Sequence, residues 1–554
     1  MAGSLNNLAI QISGIICRAK RRYFYDVRKV AKMTRKQKLK LNTVMSLLSQ
    51  VVSIVCGFIL PRYILLYFGS DVNGLVSSVS QLLGLISLCE LGVGAVVQSA
   101  LYKPLADGDL LSTSKIMISA KKFFDKVGII LAVYVLVLAA FFPFSQLEQF
   151  DFLSTASLIG AMSISYFAQY FFGVREQILL KADQKSYIGL ALQIITLVLN
   201  TAVSIVIIKL GASIQLVKLS TSLIFLIRPI GLAIYVKRHY KLDYSIKLTE
   251  EPIKQKWNGL AQHFATVVLG STDTIVLTFF STLANVSIYN VYYLVINGVK
   301  SLVTSLTGGL ESYIGNILAK NEREQLNKAF SFMEWILHTM IVLAFTMTGL
   351  LILPFVSIYT AGITDADYYA PVFAIMLTAA TASYCIRLPY SIIVLAAGHY
   401  KQTQWSAIIE MGLNIVISIA LVFPFGLVGV AIGTLASMTY RTVYYALYLR
   451  KNILNRSIGH FIKHIAIDLV SVAGMFGACF WIKIDNLDYL SWLLMALKIG
   501  GLCLAVSLII NIIFYHNHIV EICKGARNMF RGHRGGRVPA KTNWLSKGRC
   551  AYAC

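Results

Sequence analysis

Asn290, Asn297, Ser301, Thr304 and Glu311 fall at i, +7, +11, +14 and +21 in one apolar stretch, with Lys300 beside the row. At 3.6 residues per turn these positions share one helical face. Three other segments carry comparable rows: Ser46, Gln50, Ser53 and Gly57; Ser77, Gly84, Ser87 and Gln98; Asn258, Gln262, Thr266 and Asp273. Small residues in such a row let helices pack closely. Alternatively, the rows face water. For Lys300, Asp273 and Glu311 packing is the weaker reading, because a charge facing hydrocarbon is expensive. A water-filled cavity lined by Gln50, Ser87, Gln98, Gln262, Asp273, Asn297, Ser301, Thr304 and Glu311 satisfies all four faces together.

Charges within apolar runs sharpen this expectation. Seven are basic: Arg62, Lys218, Arg228, Lys300, Arg387, Arg441 and Lys498. Arg62, Lys218 and Lys498 fall in the outer parts of their helices, where snorkelling to the interface accounts for them. Arg228, Lys300, Arg387 and Arg441 fall deeper. Prolines adjoin several of them, in Pro61-Arg62, Arg228-Pro229 and Arg387-Leu388-Pro389. Helix breaks are tolerated at membrane depth where the freed backbone groups are covered by protein or line a cavity. The intramembrane acids are Glu90, Asp273, Glu311 and Glu410. This surplus of positive charge points to an anionic cargo, with internal ion pairs as the structural alternative. Glu90, Asp273 and Glu410 are the candidates for a coupling ion, a proton or sodium.

Enzymatic motifs are lacking. The sequence has no phosphate-binding loop, no dinucleotide fingerprint and no nucleophile motif with its partners, so no catalytic residue and no cofactor is assigned. Asp365-Ala366-Asp367 resembles a metal-holding acidic motif, but an ordinary acidic outer loop fits it better. The nine cysteines are scattered without C-x-x-C spacing, which gives neither a disulfide framework nor a zinc site. His516, His518 and Cys523 read as an interfacial tail rather than metal ligands.

The elements that must position these residues are membrane spans. Of 554 residues, 57% are hydrophobic and 14% charged, and mean hydropathy is +0.69; a soluble chain carries about 25% charged residues. Apolar runs of roughly 20 residues, the length that crosses a bilayer, recur at 42–68, 73–102, 123–144, 153–174, 186–208, 213–236, 257–280, 286–318, 330–359, 368–397, 402–423, 427–449, 463–483 and 490–514. The expectation is an all-α polytopic membrane protein of fourteen transmembrane helices, with Asn73-Gly74 opening the second. With the N-terminus inside, 41 of the 50 lysines and arginines fall in inner segments, as the positive-inside rule requires. Both termini are then cytosolic. The net charge of +25 belongs to this topology rather than to nucleic-acid binding. The basic arm 1–41 is expected to lie on anionic inner-leaflet lipids, followed by a six-helix bundle (42–236), a basic linker (237–256), a second bundle (257–449), two further spans (450–514) and a basic tail (515–554).

The two bundles are copies. Gln50 matches Gln262 and Phe68 matches Phe280 at an offset of 212; Gln98 matches Glu311, Leu105-Ala106 matches Leu318-Ala319 and Arg228 matches Arg441 at 213. An even number of spans per copy makes the repeats parallel.

The pattern Pro61-Arg62, Phe68-Gly69, Asn73-Gly74, Glu90-Leu91-Gly92-Val93-Gly94 and Tyr102-Lys103-Pro104-Leu105-Ala106 resembles the polysaccharide-repeat (Wzx-type) flippases of the multidrug/oligosaccharidyl-lipid/polysaccharide exporter superfamily. The similarity covers residues 40 to 515. It implies two six-helix lobes in a V around a central cavity, two additional helices and alternating access. The implied cargo is an undecaprenyl-pyrophosphate-linked oligosaccharide, with glycosyltransferases and a polymerase of the same pathway as partners. Family cavities often hold arginines for the pyrophosphate. Lys300, Arg387, Arg228, Arg441 and Arg62 are the substrate-binding candidates here, although no fixed motif carries that role over. The long basic tails depart from the family pattern. A lipid II flippase and a cation-coupled multidrug exporter share the implied fold, but an exporter of organic cations calls for acids in its cavity. A membrane glycosyltransferase or polymerase needs larger outer loops than this chain offers.

Overall fold

A computed structural model describes residues 35–520 except 91, 147–148, 247, 249–259, 308–309, 320–321, 455, 483–485 and 517; the side chains of 35–36, 260–263, 306, 311–313, 316 and 319 are also outside it. The N-terminal arm up to residue 34, most of the linker and the tail beyond 520 therefore fall outside the described residues. Among the described residues all regular structure is helical.

The helices are α1 (Arg35–Gly84), α2 (Val93–Asp107), α3 (Leu110–Phe141), α4 (Phe152–Ala168), α5 (Val174–Ala182), α6 (Ser186–Lys209), α7 (Ile214–Phe225), α8 (Ile227–His239), α9 (Leu260–Phe280), α10 (Leu283–Thr307), α11 (Leu310–Ala319), α12 (Arg323–Tyr359), α13 (Pro371–Ile386), α14 (Leu388–Ala396), α15 (Tyr400–Leu449), α16 (Gly459–Cys479) and α17 (Tyr489–Phe514). Among the described residues ten helical stretches are long and apolar enough to cross a membrane. Two of them are paired spans. Gly69 (φ 83°) interrupts α1, and Gly426 (φ 53°) interrupts α15, in backbone conformations that residues with a Cβ rarely adopt. With α9 and α10, the described helices account for the fourteen spans expected from the sequence. The protein is an all-α, multi-pass membrane protein.

Two differences from the expected spans have local causes. The second span resumes at Ser70, not at Asn73, because the Asp365 carboxylate caps it. One oxygen accepts from the Ser70 amide at 2.6 Å and the other from its hydroxyl at 2.7 Å. That span then tightens into a 3-10 segment, Leu85–Glu90, before Gly92 turns left-handed and α2 begins.

By internal packing the chain divides into two units, residues 1–294 with 362–367 and 407–430, and residues 295–361 with 368–406 and 431–554. In the first, Val79, Leu83, Val97, Leu101, Met117, Phe124 and Leu131 form the centre of the core. One end of this unit is clasped by charge. Asp183 pairs with Lys185 at 2.6 Å and Lys38 at 3.6 Å and accepts from the Tyr240 hydroxyl at 2.5 Å. Burial pushes the Asp183 carboxyl up, but the Lys185 and Tyr240 hydrogen bonds and the two lysines together hold it below the usual carboxylate range. In the second unit α12, α16 and α17 share a core of Val342, Leu351, Met475, Cys479, Met495, Ile499 and Cys503, with the two sulfurs 3.9 Å apart.

Candidate functional site

The first unit encloses a cavity of about 540 Å³. Its walls come from α1, α4, α6, α7 and α8 and from a π-helical turn at Gln169–Gly173. Turns of this kind insert one residue and re-aim side chains. Here the turn brings Gln169 to the cavity and Gly173 against Pro229, where an added Cβ would meet the proline Cβ at 3.0 Å. Ser53, Asn200, Thr201 and Thr221 add polar surface, and the charged lining residues are Lys218 and Arg228. None of the lining residues is acidic.

Arg228 stands in the first turn of α8, just past the α7–α8 break. One guanidinium nitrogen donates to Gln177 Oε1 at 3.3 Å, while Nε is buried without a hydrogen-bond partner. Lys218 has no ion pair among the described residues. Lys218, expected to snorkel to the interface, lies instead on the wall of the cavity that Arg228 lines. The helical offset from Ser222 by one turn was the available signal, since Lys218, Thr221, Ser222 and Phe225 share a face.

The second unit brings Lys300 and Arg387 together. The Lys300 ammonium lies 4.1 Å from the centre of the Tyr384 ring, and the Arg387 guanidinium carbon 4.6 Å from it. Arg387 occupies the junction between α13 and α14, ahead of Pro389, and is buried. Cation–π contacts of this kind are worth about 2 kcal/mol when desolvated. The two cations are within about 9 Å of each other, and their repulsion at an effective dielectric near 20 is also ~2 kcal/mol. A bound anion would relieve that repulsion. Arg441, buried on α15, lies over its neighbour Tyr445 at 5.3 Å and donates to the tyrosine hydroxyl at 3.4 Å.

The remaining candidates are dispersed. Arg62 and Gln50 are half-buried on α1. Ser87 donates to the Gly84 carbonyl, Gln98 donates to the Tyr102 hydroxyl, and Glu90 accepts from the Tyr170 hydroxyl at 2.8 Å. Asp273 is buried, accepting from Tyr289 at 3.0 Å and from Asn414 at 3.5 Å. Asn297, Ser301 and Thr304 are half-buried along α10, where Thr304 donates to the Ser301 carbonyl. Glu410 is fully buried on α15. The side chains of Gln262 on α9 and Glu311 on α11 lie outside the described ones. Asp365, weighed above as a metal ligand, serves as the helix cap described for Ser70.

One polar cluster was not anticipated. Glu334 and His338 on α12, Tyr390 on α14, and His464 and Asp468 on α16 are buried together. The signal was present as two i, i+4 pairs, Glu334 with His338 and His464 with Asp468, each on one helical face.

No protein-family profile matches the chain, and no curated protein does. Solved structures do. The lipid II flippase MurJ in an inward closed conformation superposes with a TM-score of 0.65 at 16% identity, over 86% of this chain and 99% of that one. An inward-facing MATE-family multidrug resistance transporter of the MOP superfamily gives 0.55 at 14%, over 73% and 96%. The Vibrio cholerae MATE transporter VcmN in its bent form gives 0.51 at 15%, over 75% and 96%. At these identities the likeness is one of fold, and the chain has the all-helical membrane fold of the MurJ and MATE transporters.

Proposed function

We propose that the protein is a flippase that carries an undecaprenyl-pyrophosphate-linked polysaccharide repeat unit from the inner to the outer leaflet of a bacterial cytoplasmic membrane by alternating access. The observation that carries this reading is the pair Lys300 and Arg387 on one ring, Tyr384. A diphosphate cannot cross hydrocarbon unaided, and two cations held together within the spans lower that cost. Arginine offers a fork matched to phosphate oxygens, and lysine a mobile point charge. Arg228 and Lys218 supply a second basic surface, in the cavity of the first unit; Arg441 and Arg62 complete the set. The exporter-like fold supports transport rather than an enzymatic reaction.

A second reading keeps the same chemistry. The likeness to the lipid II flippase MurJ favours a lipid-linked peptidoglycan precursor, which shares the polyprenyl diphosphate and differs in its sugars. The MATE neighbours bring in a cation-coupled multidrug exporter, which the basic residues at Tyr384 do not favour. On the flippase reading both termini are cytosolic, the lobes are the repeats 42–236 and 257–449, and glycosyltransferases and a polymerase of the pathway act on either side of the step.

Lys300→Ala and Arg387→Ala are expected each to lower surface polysaccharide about tenfold while the protein still reaches the membrane, and Lys300→Arg to keep partial export. Normal export by both alanine variants would overturn the assignment of these residues. Survival of the host without the gene separates the two cargoes, since a sole lipid II flippase is indispensable for wall growth.

A further inference from the structure

We infer that Asp468, His338, Tyr390 and Glu334 form a proton-binding site that loads one proton per transport cycle; this inference rests on the transporter reading above.

The four side chains make a linear chain of three hydrogen bonds. Asp468 Oδ2 lies 2.6 Å from His338 Nδ1, His338 Nε2 lies 3.1 Å from the Tyr390 hydroxyl, and the Tyr390 hydroxyl lies 2.8 Å from Glu334 Oε1. Three links need three protons. Ionised carboxylates bring none, a neutral imidazole brings one and a phenol brings one. The chain as built is therefore one proton short unless an additional proton is bound. If Tyr390 donates to Glu334, its oxygen accepts from His338 Nε2, and the His338–Asp468 link needs a proton on an imidazolium or a carboxylic acid. If Tyr390 donates to His338, Glu334 must be the protonated partner. Every arrangement that makes all three bonds holds the same extra proton.

The surroundings fit that count. Glu334 Oε2 pairs with Arg456 at 3.0 Å and with His464 Nε2 at 3.4 Å. His464 Nδ1 in turn meets the Tyr515 hydroxyl at 2.5 Å. This branch has two links and two protons, one from Tyr515 and one from a neutral His464, so it needs nothing added. With both acids ionised and Arg456 charged, the cluster carries −1; one proton brings it to zero. Burying a net charge is costly, and Glu334, His338, His464 and Asp468 are all buried. Other titratable groups nearby are His518, packed on Trp335 and beside Tyr515, and Arg450 and His460, which with Arg456 border a small cavity beside Glu334. Its volume of about 20 Å³ is enough for a single water, giving the proton an aqueous entry at the Glu334 end.

The chain also joins three helices. It ties α12 to α14 and to α16 through side chains alone. Loss of the proton removes one of the three links and loosens one of these helices from the others. Binding and release then take H⁺ from water at one stage of the cycle and return it at another, with no other reactant.

The test exploits the donor rule. In Asp468→Asn the amide supplies the missing hydrogen to His338 Nδ1, and in Glu334→Gln the amide supplies it to Tyr390, so each variant keeps three bonds without an added proton. Purified full-length protein in lipid nanodiscs would be titrated with a pH indicator between about pH 5.5 and 9, above the range of ordinary carboxyls. The expected result is one proton fewer released per chain by each variant than by wild type, with thermal stability retained. Equal proton release by wild type and Asp468→Asn would overturn the site. In cells, Asp468→Asn is expected to lose export; export at the wild-type level would overturn the coupling. The titration contains no cargo, so it stands or falls independently of the flippase reading.

Discussion

A Cβ placed on Gly74 would lie 2.0 Å from the carbonyl oxygen of Leu283, a residue more than two hundred positions along the chain. The start of the second span thus touches the backbone of α10 itself. Asn73 donates to the Ser287 hydroxyl at 2.8 Å one turn away, and Ser78 pairs with Thr278 on α9 at 2.7 Å. Gly74→Ala is expected to force the helices apart and to destabilise the protein by about 1–3 kcal/mol. Gly84→Ala, which meets nothing within 4 Å, serves as the comparison and is expected to leave thermal unfolding in detergent unchanged. Equal melting temperatures for the two variants would refute the contact.

The Ser70 cap offers a second measurement. Asp365 satisfies the amide and hydroxyl of Ser70 where the helix restarts after Gly69. Removing a helix cap costs about 1 kcal/mol. Asp365→Ala should therefore lower the melting temperature by a few degrees and speed hydrogen exchange at residues 70–73, which mass spectrometry resolves. Asp367→Ala, outside that contact pair, should leave exchange there unchanged.

At the charged clasp the sign of the pH response follows from Asp183. Its folded carboxyl is held below the usual range, so its contribution is present above the unfolded value and is lost as pH falls through the folded one. Wild-type protein should lose stability on acidification by about 1 kcal/mol through this group, discounted for its partial exposure. Asp183→Asn should remove that acid-sensitive component and lower stability at neutral pH. Melting curves across pH check both.

For the cavity of the first unit, Lys218→Met and Arg228→Gln preserve bulk and remove charge. Export is expected to fall about tenfold, equivalent to about 1.4 kcal/mol, with normal membrane levels by immunoblot. On the flippase reading, the losses should add when these are combined with Lys300→Ala. Normal export from the double variant Lys218→Met/Arg228→Gln would remove the cavity from the path.

Topology is tested by labelling. In a chain cleared of native cysteines, Gln325→Cys should react only from the cytosolic side and Thr364→Cys only from outside. The opposite pattern would reverse the orientation drawn from the basic residues.

The spans themselves were legible because an apolar run of fixed length is a local signal. The glycine at each hairpin, Gly69 or Gly426, shows as a break in such a run. What joins the spans was not legible. Asp365 reads as loop acid until Ser70 is found beside it, 295 residues away in sequence. Lys218 could be told from a snorkelling residue only by knowing which faces of α4 and α6 oppose it. The His338–Asp468 contact bridges 130 residues; each partner alone is a single polar residue in an apolar helix, and only the i, i+4 spacing on both helices hinted at more. Lys300 and Arg387 were found from charge alone, whereas the ring they share belongs to Tyr384, which carries no charge.

The low apolarity of α10 reaches back to how the chain enters the bilayer during synthesis. Among the described residues ten helical stretches qualify as spans on their own length and hydropathy, but α10 does not. Asn285, Asn290, Asn297 and Lys300 each add to the cost of moving α10 into lipid. Its anchors are earlier-made residues, Asn73 for Ser287 and Asp273 for Tyr289. Those partners are translated before α10 emerges, so earlier spans act as a template on which a weakly hydrophobic helix is retained. The helix that brings Lys300 to its site thus depends on the order in which the ribosome delivers the chain.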